Sequence, residues 1–303
     1  MSRRDPRETF ARTAARLVEE DLSVALVYAE ISGQFLRDVE RRHPDRVINV
    51  GIREQLLVNV GAGLALTGMR PIVHTFGSFL VERGFEQIKL GFNHQDVGGV
   101  LVSSGASYDN TAGGRTHQAP GDVALMDTLP GWTVHVPGHA DEVEQAVRLA
   151  VAGEGRHYVR VTSQQNRQPW PVRPGRLHVV RRGAGAVVVA VGPMLDPVLE
   201  AVTGMDVSVL YAGSVRPFDA RTLRAVLRSP EVVLVEPYLA GTSARLVDET
   251  LVDVPHRLLA LGVDREELRR YGTPRQHAAA HGLDAAGLRA SITGFLDGRR
   301  TAA

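Results

Sequence analysis

The chain has 303 residues, 44% of them hydrophobic, which suffices for two domains of ordinary size, and its lack of cysteine excludes disulfides, thiolate ligands and a cysteine nucleophile together. Its 35 lysines and arginines nearly cancel its 34 aspartates and glutamates, and no region is basic enough to point to nucleic acid. The longest apolar stretches (186–191 and 98–102) are far too short to span a bilayer, and residues 1–10 lack the apolar core of a secretory signal, so a cytoplasmic protein with no membrane segment is expected.

Short β-branched runs alternate with longer amphipathic stretches, the pattern of βα units around a mostly parallel sheet. Asp5 is placed to cap a first helix, with Pro6 at its first position and Glu8 set to answer the cap. Phe10, Ala14, Leu17 and Val18 then line one helical face. The pattern predicts strands over 23–28, 46–52, 71–75, 97–103, 132–137 and 157–161. Helices are predicted between them over 34–42, 55–66, 79–93 and 140–152, the second closed by Gly68. A polar, glycine-rich loop fills 104–115. From 163 to 176 proline and polar residues break the pattern, which sets a first domain at 1–168, a linker at 169–176 and a smaller α/β domain at 177–303. That second domain reads as strands over 186–191, 207–211 and 232–236, with helices over 195–201, 220–227, 243–251 and 284–295.

Three segments carry candidate chemistry. Asn49-Val50-Gly51-Ile52-Arg53-Glu54-Gln55 puts a carboxylate where a strand ends and a helix begins, the edge at which parallel α/β sheets collect ligands. An acid in a first helical turn also simply complements the macrodipole, so Glu54 alone has two readings. His74-Thr75-Phe76-Gly77-Ser78-Phe79 brings two aromatics to the next such junction, where they could wall a flat heterocycle or pack in the core. Gly113-Gly114-Arg115-Thr116-His117-Gln118 offers a histidine that is either a solvated loop residue or a proton donor and acceptor near neutral pH. Neither GxGxxG nor GxxxxGK[ST] occurs.

In this order the segments resemble the pyrimidine-binding domain of the transketolase family, which includes deoxyxylulose-phosphate synthase. The resemblance is carried by HPDRVINVGIREQ, GLALTGMRPIVHTFGSFL with FEQI, and GGRTHQAPGDVALMDTLPGWTVHVPGHADEVEQAV. VVLVEPYLAGTSARLV and LGVDREELRRYGTPRQHAAAHGLDAAGLRASI extend it through the family's C-terminal domain. It implies thiamine diphosphate as cofactor, with the chemistry carried by that group and the protein supplying position and proton management. Glu54 matches the glutamate that hydrogen-bonds N1′ of the aminopyrimidine, and Phe76 and Phe79 match the aromatics packed against that ring. His117 matches a histidine that approaches the substrate's reacting carbonyl or hydroxyl, with Gln118 beside it. Glu30, just after a strand, falls where the family often has an acid near the cofactor. A third wall position, often aromatic in the family, falls near Glu82.

Departures from the family pattern matter as much. Gly113 stands where sugar-phosphate enzymes of the family carry Asp, although Asp109 is close, and Gln164 stands where a phosphate-binding Arg is expected. An amide cannot replace a guanidinium as a bidentate phosphate partner, so a substrate other than an ordinary pentose or hexose phosphate is expected. Arg115, Arg160 and Arg167 remain as cations that could reach a phosphate. No Gly-Asp-Gly run occurs, and Asp122 is followed by Val123, so ligands for Mg²⁺ are not assembled in this sequence. The resemblance therefore implies a split enzyme whose separate N-terminal subunit supplies metal and diphosphate contacts, as an α2β2 heterotetramer moving a two-carbon ketol unit. Competing readings are the β subunit of a 2-oxo-acid dehydrogenase, which usually reads HSQ rather than THQ at the histidine, a deoxyxylulose-phosphate-synthase fragment, and a non-catalytic scaffold.

Overall fold

The computed structural model describes residues 4–267, 269 and 271–298. Its strands are β1 (Val24–Tyr28), β2 (Val47–Asn49), β3 (Arg70–Phe76), β4 (Gly99–Ser104), β5 (Trp132–His135), β6 (Arg156–Arg160), β7 (His178–Arg181), β8 (Val187–Val191), β9 (Ser208–Ala212), β10 (Ser214–Arg216), β11 (Glu231–Leu239) and β12 (Arg257–Val263). They form two sheets, ordered β10-β5-β6-β4-β3-β1-β2 and β12-β11-β8-β9-β7. Within the first sheet β1 to β6 run parallel and β10 is antiparallel to β5; in the second, β7 is the antiparallel edge. The expected architecture, two mostly parallel sheets flanked by helices, is thus observed. Strand β10 lies beyond the linker yet completes the first sheet, so the two halves share an edge.

Strands β1, β4 and β8 are buried along their whole length because helices cover both faces of their sheets. Helix Pro6–Glu20 starts on Asp5, whose side chain accepts from the Glu8 backbone N–H as expected, while the Glu8 carboxylate turns instead to Arg12. Its Phe10, Ala14 and Val18 pack with Val143 and Val147 of helix Ala140–Ala152 over one face of the first sheet. Helix Glu54–Leu66 covers the other face, where Leu57, Val58, Val73 and Leu101 join an apolar cluster that continues into Val189, Leu234 and Tyr238 of the second half.

Two differences from the sequence reading bear on function. The strand expected over 46–52 stops at Asn49 because Asn49 Oδ1 accepts from the Gly51 N–H at 3.0 Å and Gly51 takes φ +71°, bending the chain into the next helix. The helix expected over 79–93 is instead a run of π-type turns, Ser78–Arg83 and Ile88–His94, around one α-turn, Phe85–Gln87. A Cβ on Gly84 would stand 2.6 Å from the Leu80 carbonyl oxygen and 3.1 Å from Val58 Cγ2, so glycine is what lets the wide turn close against its neighbour. Strands β7, β10 and β12 and helices Asp122–Met126 and Pro274–Ala280 escaped the hydrophobic pattern altogether.

Candidate active site

Strand order reverses between β1 and β3, so the turns after β1, β2 and β3 open onto one crevice, where doubly wound sheets take their ligands. The turn after β1 is strained: Glu30 and Ser32 have φ of 58° and 64°, a region that costs non-glycine residues on the order of 1–3 kcal/mol and persists only where the surroundings enforce it. Asn49 does part of the enforcing. Its Oδ1 accepts from the Glu30 N–H at 3.3 Å and its Nδ2 donates to Glu30 Oε1 at 3.2 Å. Ser32 is held from two sides, its Oγ accepting from Arg7 Nε at 2.9 Å and lying 2.9 Å from His74 Nε2. Burial pushes the His74 pKa down to about 3, so the ring is neutral; its Nδ1–H donates to the Val102 carbonyl and leaves Nε2 to accept from Ser32.

Glu54 is the first residue of its helix and is 2% exposed. That position satisfies the dipole reading, but burial of the carboxylate asks for a partner as well. Arg83 supplies it, Nη1 donating to Oε2 at 2.7 Å. The Arg83 guanidinium carbon lies 4.1 Å from the centroid of the Phe79 ring. Phe76, Phe79 and His117 form a triangle of tilted rings, with centroids 6.0, 5.5 and 5.0 Å apart. The structure therefore gathers Glu54, both phenylalanines and His117 through Arg83, a residue that the sequence reading passed over. Glu82, near which the third wall position falls, is exposed, and the neighbouring Arg83 stacks on Phe79.

The remaining candidates lie around this group. Glu30 is exposed and clasped to Asn49. Gln118 is buried; its side chain lines a small cavity with Tyr108, His277 and His281, and its Nε2 has no hydrogen-bond partner among the described residues. Gln164 Nε2 donates to Asp109 Oδ1 at 3.3 Å, and Asp109 also accepts from Thr162 Oγ1 and the Ser163 N–H. Burial pushes the Asp109 carboxyl above its ordinary range. Beside the triangle a cavity of about 290 Å³ is lined by Arg7, Phe76, Ser104, Asp109, Asn110 and Thr162. Arg7, whose guanidinium lies 5.7 Å from the Phe76 centroid, puts a partly buried cation on its wall; no sequence signal marked it.

Of the three arginines that could have reached a phosphate, Arg160 is already engaged. It is fully buried and donates to Asp122 Oδ2 at 2.7 Å and to Ser107 Oγ at 2.6 Å, while Tyr158 also donates to Asp122. Arg115 is paired with Glu267 at 2.9 Å, and Arg167 lies 3.8 Å from Asp196. Gly113 also explains itself. A Cβ there would stand 2.6 Å from Cγ of His117, so the aspartate of the family pattern cannot occupy this position while the histidine keeps its place.

Residues 3–168 match the family model described as transketolase, pyrimidine binding domain. The chain belongs to the transketolase family. A solved structure described as a split gene transketolase, an inactive β4 tetramer, superposes with a TM-score of 0.84 at 27% identity, covering 96% of this chain and 97% of that one. Campylobacter jejuni transketolase shares the fold, with a TM-score of 0.78 at 16% identity over 96% of this chain and 46% of its own. In sequence, this transketolase-family chain is 51% identical over 291 residues to the "Uncharacterized 33.6 kDa protein in fasciation locus" of Rhodococcoides fascians, covering 95% of this chain and 93% of that protein. It is 31% identical over 318 residues to 1-deoxy-D-xylulose-5-phosphate synthase of Oleidesulfovibrio alaskensis, covering 95% of this chain. The chain spans 48% of the length of that synthase.

Proposed function

We propose that this chain is the pyrimidine-binding half of a two-subunit, thiamine-diphosphate-dependent transketolase, comprising a unit over residues 1–168 and a C-terminal unit over 177–303. The observation that carries the reading is a buried carboxylate, Glu54, joined through Arg83 to a triangle of Phe76, Phe79 and His117 at the carboxyl edge of a parallel sheet. The donor set suits an aminopyrimidine. Glu54 offers an acceptor already used by a flat, N–H-bearing group, and Phe79 offers a ring face already stacked by the same group. Bound there, thiamine diphosphate would supply a nucleophilic carbon able to carry a two-carbon fragment. Glu54 would hold and share the proton of the ring nitrogen, and Phe76 and Phe79 would fix the ring plane and exclude water. His117, at the open end of the triangle, would exchange a proton with the substrate oxygen. The polar cavity beside Phe76, with Arg7 and Asp109 on its walls, would receive the rest of the substrate.

The metal and diphosphate contacts are assigned to a separate subunit, which makes Mg²⁺ that subunit's cargo and an α2β2 assembly the simplest stoichiometry. The split-gene neighbour, matched over nearly its whole length, supports this division. Among the described residues no helix is long and apolar enough to cross a membrane, which is compatible with the proposed cytoplasmic setting. Gln164 and Asp109 support a substrate without a sugar phosphate. The deoxyxylulose-phosphate synthase relatives favour a second reading, a synthase-like enzyme, and the 2-oxo-acid alternative makes pyruvate the donor to test beside the ketoses.

The test is to co-express the chain with a subunit that carries a Gly-Asp-Gly run and to measure donor consumption with ketoses and with pyruvate. A complex that turns over a ketose, and loses turnover without losing assembly on Glu54→Ala, is the expected result. Turnover of the Glu54→Ala complex at the wild-type rate would overturn the proposal, and consumption of pyruvate alone would select the second reading.

A further inference from the structure

The Arg83–Glu54 pair does not fit the role just assigned to Glu54 as it stands. Sharing a proton with a ring nitrogen requires a partner that can give or take one. A guanidinium has five N–H donors, no acceptor, and is never deprotonated in proteins. With Arg83 Nη1 2.7 Å from Oε2, that carboxylate oxygen faces a group with which it can exchange nothing. Arg83 also covers a face of Phe79, 4.1 Å from its centroid, the surface that the proposal gives to the cofactor ring. Both contacts sought by an aminopyrimidine, an N–H on Glu54 and a flat face on Phe79, are made here by one planar, delocalised, nitrogen-rich group.

We infer that Arg83 is a built-in place-holder for the aminopyrimidine: it fills the ring's position in the chain by itself and is displaced when the ring binds. The inference rests on the reading of Glu54 as the ring's partner. Local structure favours a residue that can leave. The Arg83 side chain is 41% exposed while Glu54 is 2% exposed, so the arginine has solvent to move into and the acid has not. Arg83 ends the π-type turn Ser78–Arg83, and Gly84 follows it. Displacement would leave the Glu54 carboxylate without its donor among the described residues unless the ring brings one, so the swap conserves the number of charge-assisted hydrogen bonds at a buried carboxylate. The arginine is thus an internal competitor. It lowers the affinity of this half-site for the ring, so capture of cofactor depends on the additional contacts made by the diphosphate elsewhere.

The test uses the full chain without any partner and thiamine as probe, since thiamine carries the same aminopyrimidine but no diphosphate. Dissociation constants by equilibrium dialysis are compared for the wild type, Arg83→Met, Glu54→Gln and the double variant. Methionine keeps an unbranched stem against Phe79 and removes the charge and every donor; Arg83→Gln replaces it if the methionine variant fails to fold by circular dichroism. Thiamine is expected to bind the Arg83 variant about tenfold more tightly than the wild type, about 1.4 kcal/mol, with the gain abolished by Glu54→Gln. Equal or weaker binding by the Arg83 variants, with Glu54→Gln still weakening the wild type, would overturn the place-holder and leave the aminopyrimidine reading standing. Binding unaffected by Glu54→Gln, or no binding by any variant, would overturn both.

Discussion

Replacing Gly113 with alanine isolates the position of His117 from its identity. An ideal Cβ on Gly113 would lie 2.6 Å from His117 Cγ, 2.7 Å from Nδ1 and 2.9 Å from its Cβ, where ordinary contact begins at 3.4 Å. The clash is with the root of the imidazole, so rotating the ring about its own axis does not relieve it. His117 must swing or the loop must shift, by roughly 1 Å, which at a reacting centre costs on the order of 10²-fold in rate. The backbone itself accepts alanine, because Gly113 is not among the glycines with positive φ. A compatible Gly→Ala change stabilises by about 0.4–1 kcal/mol through the unfolded chain, which offsets part of the local clash. The expected signature is therefore a large loss of turnover with an unfolding midpoint close to that of the wild type. Turnover is read on the proposed two-subunit complex by donor oxidation with an artificial electron acceptor, and stability by urea unfolding of the chain. Turnover within twofold of wild type would refute the placement of His117 beside the reacting atoms.

Removing Asp122 strands the buried Arg160 guanidinium, so Asp122→Ala should cost about 3–5 kcal/mol in urea unfolding, whereas Asp122→Leu with Arg160→Met should recover most of it. A single-variant cost under about 1 kcal/mol would contradict the buried pair. Burial lowers the pKa of His74 and His135 to about 3 and of His157 to about 4, below the unfolded value near 6.5. Such groups stabilise the fold fully at neutral pH, and the contribution is lost as pH falls from about 6.5 towards 4, because the unfolded chain takes up the proton first. Each should remove about 2 kcal/mol between pH 7 and pH 5, and His135→Gln should flatten the measured slope. Gln164→Arg alone should not create a phosphate site, because Asp109 lies within hydrogen-bonding reach and would take the guanidinium. With Asp109→Asn added, kcat/KM for a ketose phosphate over its unphosphorylated ketose should rise about tenfold, and a rise with Gln164→Arg alone would show that Asp109 does not compete.

Much of this architecture was legible because strands buried on both faces and helices with one apolar face leave periodic signals. Helix Ala140–Ala152 coincides with its prediction, and the Asp5 cap is where the sequence put it. What escaped was set by tertiary contact. Strand β10 is three residues long and exists because β5 has a free edge. The wide turns after Phe76 depend on Gly84 meeting Leu80 and Val58, a contact invisible in a linear pattern. In the site, Glu54, Phe76, Phe79 and His117 were legible from their junctions and from the family resemblance. Arg83 was not, since an arginine four residues after a phenylalanine on a helical run reads as a solvated face until the turn geometry is known. Arg7 was hidden for a different reason: it lies on the first helix, far in sequence from the motif segments, and meets the site only in space, its guanidinium 5.7 Å from the Phe76 centroid and its Nε 2.9 Å from Ser32 Oγ.

Asn49 shows how the crevice is made to hold its shape. One amide reaches both turns that flank it: Oδ1 accepts from the Gly51 N–H, which opens the path to Glu54, and from the N–H of Glu30 in the strained turn, while Nδ2 donates to the Glu30 carboxylate. Glu30 thereby helps hold the turn that follows β1. The same economy recurs at Ser32, whose hydroxyl couples the neutral His74 to Arg7. Strain at Glu30 and Ser32 thus persists because polar side chains from β2, β3 and the first helix converge on one turn. Loosening any of them would let the turn relax and shift Glu54 or Phe76 without removing either. A site built this way depends on residues outside the group of Glu54, Phe76, Phe79 and His117.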